Sequence, residues 1–214
     1  MKLALGTAAF GQDYGINNDG QPSPLHIERI LQLARQAGID TVDTAPAYHC
    51  QVDFDGFKVV QKTPYQGKCY ALLQHDPDAA PVFHDGIKCG ISVYTPAQLK
   101  RALMFPVEIV QFPLNIADGR FLRFIPELRQ RGIEIHVRSV FLQGALLSGA
   151  FGLPQLTVQE CLGYVLAQDV DRVVVGVNSV AQLRGLLEVE PREARSLGIT
   201  DERIIDPRKW RRRE

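Results

Sequence analysis

Eight short apolar, β-branched runs recur along the chain, and this alternation most constrains what it can fold into. They fall at 2–6 (KLALG), 39–43 (IDTVD), 57–61 (FKVVQ), 69–74 (CYALLQ), 86–91 (GIKCGI), 107–111 (VEIVQ), 133–138 (IEIHVR) and 172–176 (RVVVG). Their hydrophobicity is too continuous for half-exposed strands and suits parallel strands covered on both faces. Five stretches between them carry helical periodicity. Ser23 and Pro24 open one that Gly38 closes, Thr95 with Pro96 opens a second, and a third ends at Gly132. Thr157 and Ser179 open the last two. Hydroxylic caps, prolines in the first turn and closing glycines are the usual boundary signals. Strands alternating with helices in this number predict an α/β fold, a (β/α)8 TIM barrel.

The early spacing departs from a regular barrel. The segment 63–68 (TPYQGK) leaves six residues to return from the top of one strand to the foot of the next. Six extended residues span roughly 20 Å, enough for a bare return but too short for a crossover helix. The crossover helices after strands 2, 3 and 4 are therefore predicted to be missing or vestigial. Residues 1–207 read as one barrel domain, and 208–214 as a basic, solvated C-terminal tail.

Charge narrows the partners. Lys+Arg and Asp+Glu both number 24, so no global field draws the chain to nucleic acid or a membrane. The opening MKLALGTAAFG is too short and glycine-rich for a leader or a spanning helix and reads as the first strand. Cys50, Cys69, Cys89 and Cys161 form no CxxC or zinc pattern and read as free thiols in a reducing, cytoplasmic setting. His49, Cys50, His84 and Asp85 have no spacing that fixes a tetrahedral set, so no metal site is predicted.

In a barrel of this kind, functional groups sit at the C-terminal ends of several strands. Strand 2 ends at Asp43, with Tyr48 in the loop that follows; strand 3 ends at Lys62 and strand 4 at His75. The set is chemically coherent. A phenol titrates near 10, too high for a good acid at neutral pH, and a nearby ammonium lowers it. A carboxylate holds that ammonium, and an imidazole can orient a carbonyl. Together they give a proton to a carbonyl oxygen while hydride, which side chains cannot supply, comes from a cofactor.

The motifs LGTAAFGQDYG, DTAPAY, VVQK, LLQHDP, GISVYTPAQL, VQFPLNIADGR, VRSVFLQGALL and VVVGVNSVAQL, in this order, resemble the successive strand-end motifs of the aldo-keto reductases. The chain is similar to a shortened member of that family. The resemblance implies NADPH-dependent reduction of an aldehyde or ketone, with NADH as the alternative cofactor. It implies Tyr48 as proton donor with Asp43, Lys62 and His75 as its partners. It places Ser92 and Gln111 at the nicotinamide carboxamide, Arg138 against the nicotinamide face, and Gly6 and Thr7 on the floor near the cofactor. It places Arg184 at the adenosine phosphate, while Ser179 opens the last long helix, whose N-terminus suits phosphate.

Two further expectations follow from the shortened crossovers. Bare strands would expose apolar surface on that flank, which predicts a homodimer burying it. The alternative to a working reductase is a degenerate, non-catalytic barrel that binds a small molecule or a protein. A metal-dependent hydrolase or isomerase barrel is the third class.

Overall fold

The computed structural model describes residues 1–16, 20–76 and 78–210. Its eight strands are β1 (Leu3–Gly6), β2 (Thr41–Thr44), β3 (Lys58–Lys62), β4 (Ala71–Gln74), β5 (Lys88–Ser92), β6 (Ile109–Pro113), β7 (Glu134–Arg138) and β8 (Arg172–Gly176). Each pairs in parallel with its sequence neighbours, and β8 returns to β1, which closes the barrel. The continuous apolar runs are explained by this closure, since no strand has a free edge and each is packed on two sides.

Side chains alternate across each strand, so the register decides which residues meet inside. Asp43 pairs with Val60, Lys62 with Leu73, and Ser92 with Gln111. Asp43, Val60 and Lys62 thus share the inner face. Val60, Ala71, Leu73 and Ile109 form a compact apolar plug there, and the polar residues lie above it. The larger core fills the shell between the barrel and its helices.

The five expected helices form: α1 (Pro24–Gln36), α2 (Pro96–Ala102), α3 (Ile125–Gln130), α4 (Val158–Leu166) and α5 (Val180–Leu187). In α1, Ser23 caps the first turn, and Ile27, Ile30, Leu31 and Ala34 bury one stripe. Thr95 with Gln98 and Thr157 with Glu160 form complete capping boxes before α2 and α4.

No helix longer than the single 3-10 turn Pro46–Tyr48 is found among the described residues of the crossovers after β2, β3 and β4. The flank is nevertheless less bare than the sequence suggested. Coil after β2 lays Cys50, Val52, Phe54 and Phe57 on the core, and Val42 and Leu72 on these strands are buried. Tyr65, Val82 and Phe83 are the large apolar side chains left exposed nearby, so the area a homodimer would need to hide is much reduced.

The C-terminal segment also differs from expectation, because it docks rather than frays as far as Trp210. Arg208 makes a two-point ion pair with Asp206 at 2.9 and 2.6 Å. The Trp210 ring lies 4.4 Å from Phe151, and its Nε1 donates to the Ile204 carbonyl at 3.0 Å. Residues 211–214 of the basic tail lie outside the described residues. All four cysteines are free thiols, and no described helix is long and apolar enough to cross a membrane.

Gly90 tests the tightness of the inner packing. A Cβ there would overlap Leu73 Cδ2 and come within 2.9 Å of the Ile109 carbonyl oxygen. Gly90→Ala should destabilise the barrel by about 1–3 kcal/mol, read as a lower urea midpoint. An unchanged midpoint would mean that the plug has slack.

Candidate active site

The upper layer of the barrel interior is built around Asp43. Its carboxylate is buried and both oxygens are engaged: Oδ1 pairs with Lys62 Nζ, and Oδ2 accepts from Gln111 Nε2 at 2.7 Å. Ser92 Oγ donates to Gln111 Oε1 at 3.3 Å. β2, β3, β5 and β6 are thereby tied across the barrel by side chains. Thr7 Oγ1 donates to the Asp43 carbonyl at 3.1 Å and adds β1 to the set.

Burial works against the charge of Lys62, but Asp43 and then Tyr48 override it and hold the ammonium well above its ordinary pKa. Lys62 Nζ lies 5.4 Å from the Tyr48 ring centroid. The turn Pro46–Tyr48 that carries the phenol ends on His49 in the left-handed region, at φ 54°. It is braced from below by the single-turn helix Ala8–Gly11. A Cβ on Gly11 would run into the Tyr48 carbonyl, so only glycine allows that approach. Among the described residues the Tyr48 hydroxyl has no protein hydrogen-bond partner, which leaves it to a ligand.

Tyr48, Lys62 and Asp43 open on a cavity of about 390 Å³ that runs toward β7, β8 and α5. Gly6 and Gly176 lie side by side on its wall, and a Cβ on Gly176 would meet only the Gly6 carbonyl oxygen, at 3.9 Å, which leaves open space there. Of the residues singled out from the sequence, Gly6, Thr7, Asp43, Tyr48, Lys62 and Arg138 line this cavity. Ser92 and Gln111 do not; they are fully buried and serve Asp43 instead. Ser179 caps α5 by accepting from the Gln182 amide. Arg184 lies on the exposed side of that helix, and neither it nor Ser179 reaches the cavity wall.

His75, just beyond the end of β4, is set apart from the cavity. Its Nε2 lies 3.3 Å from the Tyr94 hydroxyl. Partial burial, then the charges of Lys62 and Arg138, push its pKa down to about 4, so the imidazole is neutral at neutral pH. His49 and Cys50 line a separate cleft beside β3, and His84 stacks on Tyr65 at 4.8 Å. Among the described residues no three potential metal ligands gather.

Three contributors were not singled out from the sequence. Tyr14 is 38% exposed but enclosed by neighbours on the cavity wall; burial and then Tyr48 raise its pKa. Tyr94 meets His75 and carries two guanidiniums over its ring, Arg138 at 4.3 Å and Arg208 at 3.5 Å. Tyr14 and Tyr94 stand inside quoted motifs, GQDYG and GISVY; Tyr94, two residues past the end of β5, carried a strand-end signal, whereas Tyr14, eight residues past β1, did not. Arg208 had none, because only the path of the chain brings it there.

No family model matches the sequence, and no curated protein matches it. Solved structures do. A protein of Pseudomonas aeruginosa assigned to the aldo-keto reductases is 18% identical, with TM-score 0.63, over 87% of this chain and 88% of its own. The holo form of an aldo-keto reductase from Bacillus halodurans is 16% identical, with TM-score 0.63, over 90% and 88%. A glycerol dehydrogenase from Gluconobacter oxydans is 16% identical, with TM-score 0.62, over 94% and 88%. The fold is that of the aldo-keto reductases. The matches cover 87–94% of this chain and 88% of those structures, although no long helix follows β2, β3 or β4 among the described residues.

Two outcomes test the geometry of this candidate site. Lys62→Met leaves a buried, uncompensated Asp43 and should cost about 3–5 kcal/mol in urea unfolding, whereas adding Asp43→Asn should recover most of the loss. A single variant within 1 kcal/mol of the parent would deny the pair its role. By NMR titration His75 should stay neutral down to about pH 4. Its depressed pKa means that the unfolded chain takes this proton first, so the His75 contribution is complete above about pH 6.5 and is lost as pH falls toward 4. A midpoint near 6.5 would remove the cationic surroundings inferred for it.

Proposed function

We propose that the chain reduces an aldehyde or ketone with a nicotinamide cofactor, NADPH, with NADH as the alternative. The observation that carries this reading is the buried Asp43–Lys62 pair beneath Tyr48 at the mouth of a glycine-lined cavity. A ledge formed by the backbone of Gly6 and Gly176 fits a flat ring, and Asn178, Gln182, Gln143 and Ser139 offer polar groups around it. When bound, the reduced nicotinamide supplies hydride to the carbonyl carbon.

The residues of the chain supply the rest. Tyr48 gives its phenolic proton to the carbonyl oxygen, and the Lys62 ammonium stabilises the phenolate left behind. Asp43 keeps Lys62 charged and in place, and Gln111 with Ser92 keeps Asp43 from turning. A neutral His75, backed by Tyr94, orients the substrate from the outer side. With the cofactor bound, Thr7 and Arg138 would border the nicotinamide, and Arg184 and the N-terminus of α5 at Ser179, which lie off the cavity wall, would serve the adenosine phosphate only where the cofactor extends beyond the cavity.

One observation favours a second reading, the non-catalytic binding barrel: His75 faces Tyr94 rather than the Tyr48 cavity. Cofactor titration separates the two. Tyr48→Phe should bind NADPH within about threefold of the parent and lose carbonyl reduction by at least about 100-fold. If the parent binds neither NADPH nor NADH up to millimolar concentration, the binding-module reading replaces the reductase.

A further inference from the structure

Among the described residues, four arginines are of intermediate burial: Arg120, Arg129, Arg138 and Arg172. Three face carboxylates. Arg120 pairs with Asp118 at 2.9 Å, Arg129 with Asp171 at 2.7 Å, and Arg172 with Asp40 at 3.4 Å. Among the described residues, Arg138 has no carboxylate within ion-pair distance. Its guanidinium donates to the Val93 carbonyl at 3.1 Å and to Ser139 Oγ at 3.4 Å, and it lies over the Tyr94 ring. Asp118 feels its charge but is gripped through both oxygens by Arg120. A guanidinium has five N–H donors, so Arg138 retains donors with no protein acceptor.

Its setting makes that charge count. Arg138 shares the cavity wall with Tyr48 and Lys62. The charge of Lys62 is balanced by Asp43 and that of Arg208 by Asp206, so among the described residues Arg138 is a cation of the site that no carboxylate pairs. A partly buried cation without a counter-charge is unfavourable, and an anion that pairs with it relieves the penalty. The guanidinium fork matches the two oxygens of a carboxylate or phosphate.

We infer that Arg138 anchors the negatively charged end of the carbonyl substrate, so that the site takes aldehydes or ketones bearing a carboxylate or a phosphate. The inference rests on the reductase reading and adds its substrate class. The low proton affinity of His75, to which Arg138 contributes, fits a mouth that is positive until an anion enters.

The test compares matched substrates at saturating NADPH: 4-oxobutanoate against butanal, and glyceraldehyde 3-phosphate against glyceraldehyde. The expected result is kcat/KM at least about 10-fold higher for one anionic member, with the pair that responds distinguishing carboxylate from phosphate. Arg138→Met should bring the kcat/KM of that member to within about threefold of that of its neutral partner measured on the same variant, and Arg138→Lys should keep part of the preference. No preference in either pair overturns the inference. So does an Arg138→Met variant that weakens NADPH binding, read by nicotinamide fluorescence, while the substrate ratio stays fixed, because the arginine would then belong to the cofactor. If no carbonyl is reduced, the reductase reading fails by itself, and calorimetric titration with 4-hydroxybutanoate and with inorganic phosphate decides the anchor: binding lost in Arg138→Met sustains it, and no binding to the parent overturns it.

Discussion

The buried Asp43 carboxylate is the constraint around which the upper half of the barrel is arranged. An ionised group without solvent must have each oxygen satisfied, and here one is held by an ammonium and the other by an amide. The two donors come from β3 and β6, on different sides of the interior. Closing the barrel one residue out of register would turn Lys62 or Gln111 to the outer face, since such a slip reverses every side chain of the strand. The pair adds little net stability by itself. What it does is fix the register and present a charged lysine beneath a tyrosine.

Beneath this polar layer the barrel becomes dry. Val60, Ala71, Leu73 and Ile109 separate Asp43 from the lower ionic layer, where Glu134 binds Lys88 at 2.9 Å and His136 at 2.9 Å. The plug keeps the electrostatics of the two ends apart. The upper end can therefore be tuned by its own few groups, and the field felt by His75 is set by Lys62, Arg138, Asp43 and Arg208.

Much of this was legible in the sequence, for physical reasons. Strand ends lay within about two residues of the observed ones because buried parallel strands advertise themselves as unbroken apolar runs. The missing helices followed from arithmetic on chain length, as in the six residues of TPYQGK. The positions of Asp43 and Lys62 were readable because a charged residue ending an apolar run has nowhere to go but the end of the barrel. Contacts set by the path of the chain were not legible. The meeting of His75 with Tyr94, the docking of Arg208, and the turning of Ser92 and Gln111 toward Asp43 all depend on side-chain directions between distant elements. The bare flank was overestimated for the same reason: periodicity does not reveal that Phe54 and Phe57, in irregular coil, fold back onto the core.

Coil that substitutes for helix has a thermodynamic signature of its own. The crossovers after β2, β3 and β4 hold few internal backbone hydrogen bonds, such as Tyr48 to Ala45, Phe57 to Phe54 and Ile87 to His84. A helical crossover would protect nearly every amide of its interior turns and would melt as a unit. The two sides of this barrel are therefore unequally supplied with cooperative units: α2 to α5 would each melt as a unit, whereas in the half from Ala45 to Ile87 the coil around the paired strands can loosen in pieces. Tyr48 and His75 are rooted in that looser half, while the glycine ledge and Arg138 belong to the firmer one. Ligand binding across the seam would draw the two together, so that ordering of the weaker half becomes part of the binding free energy.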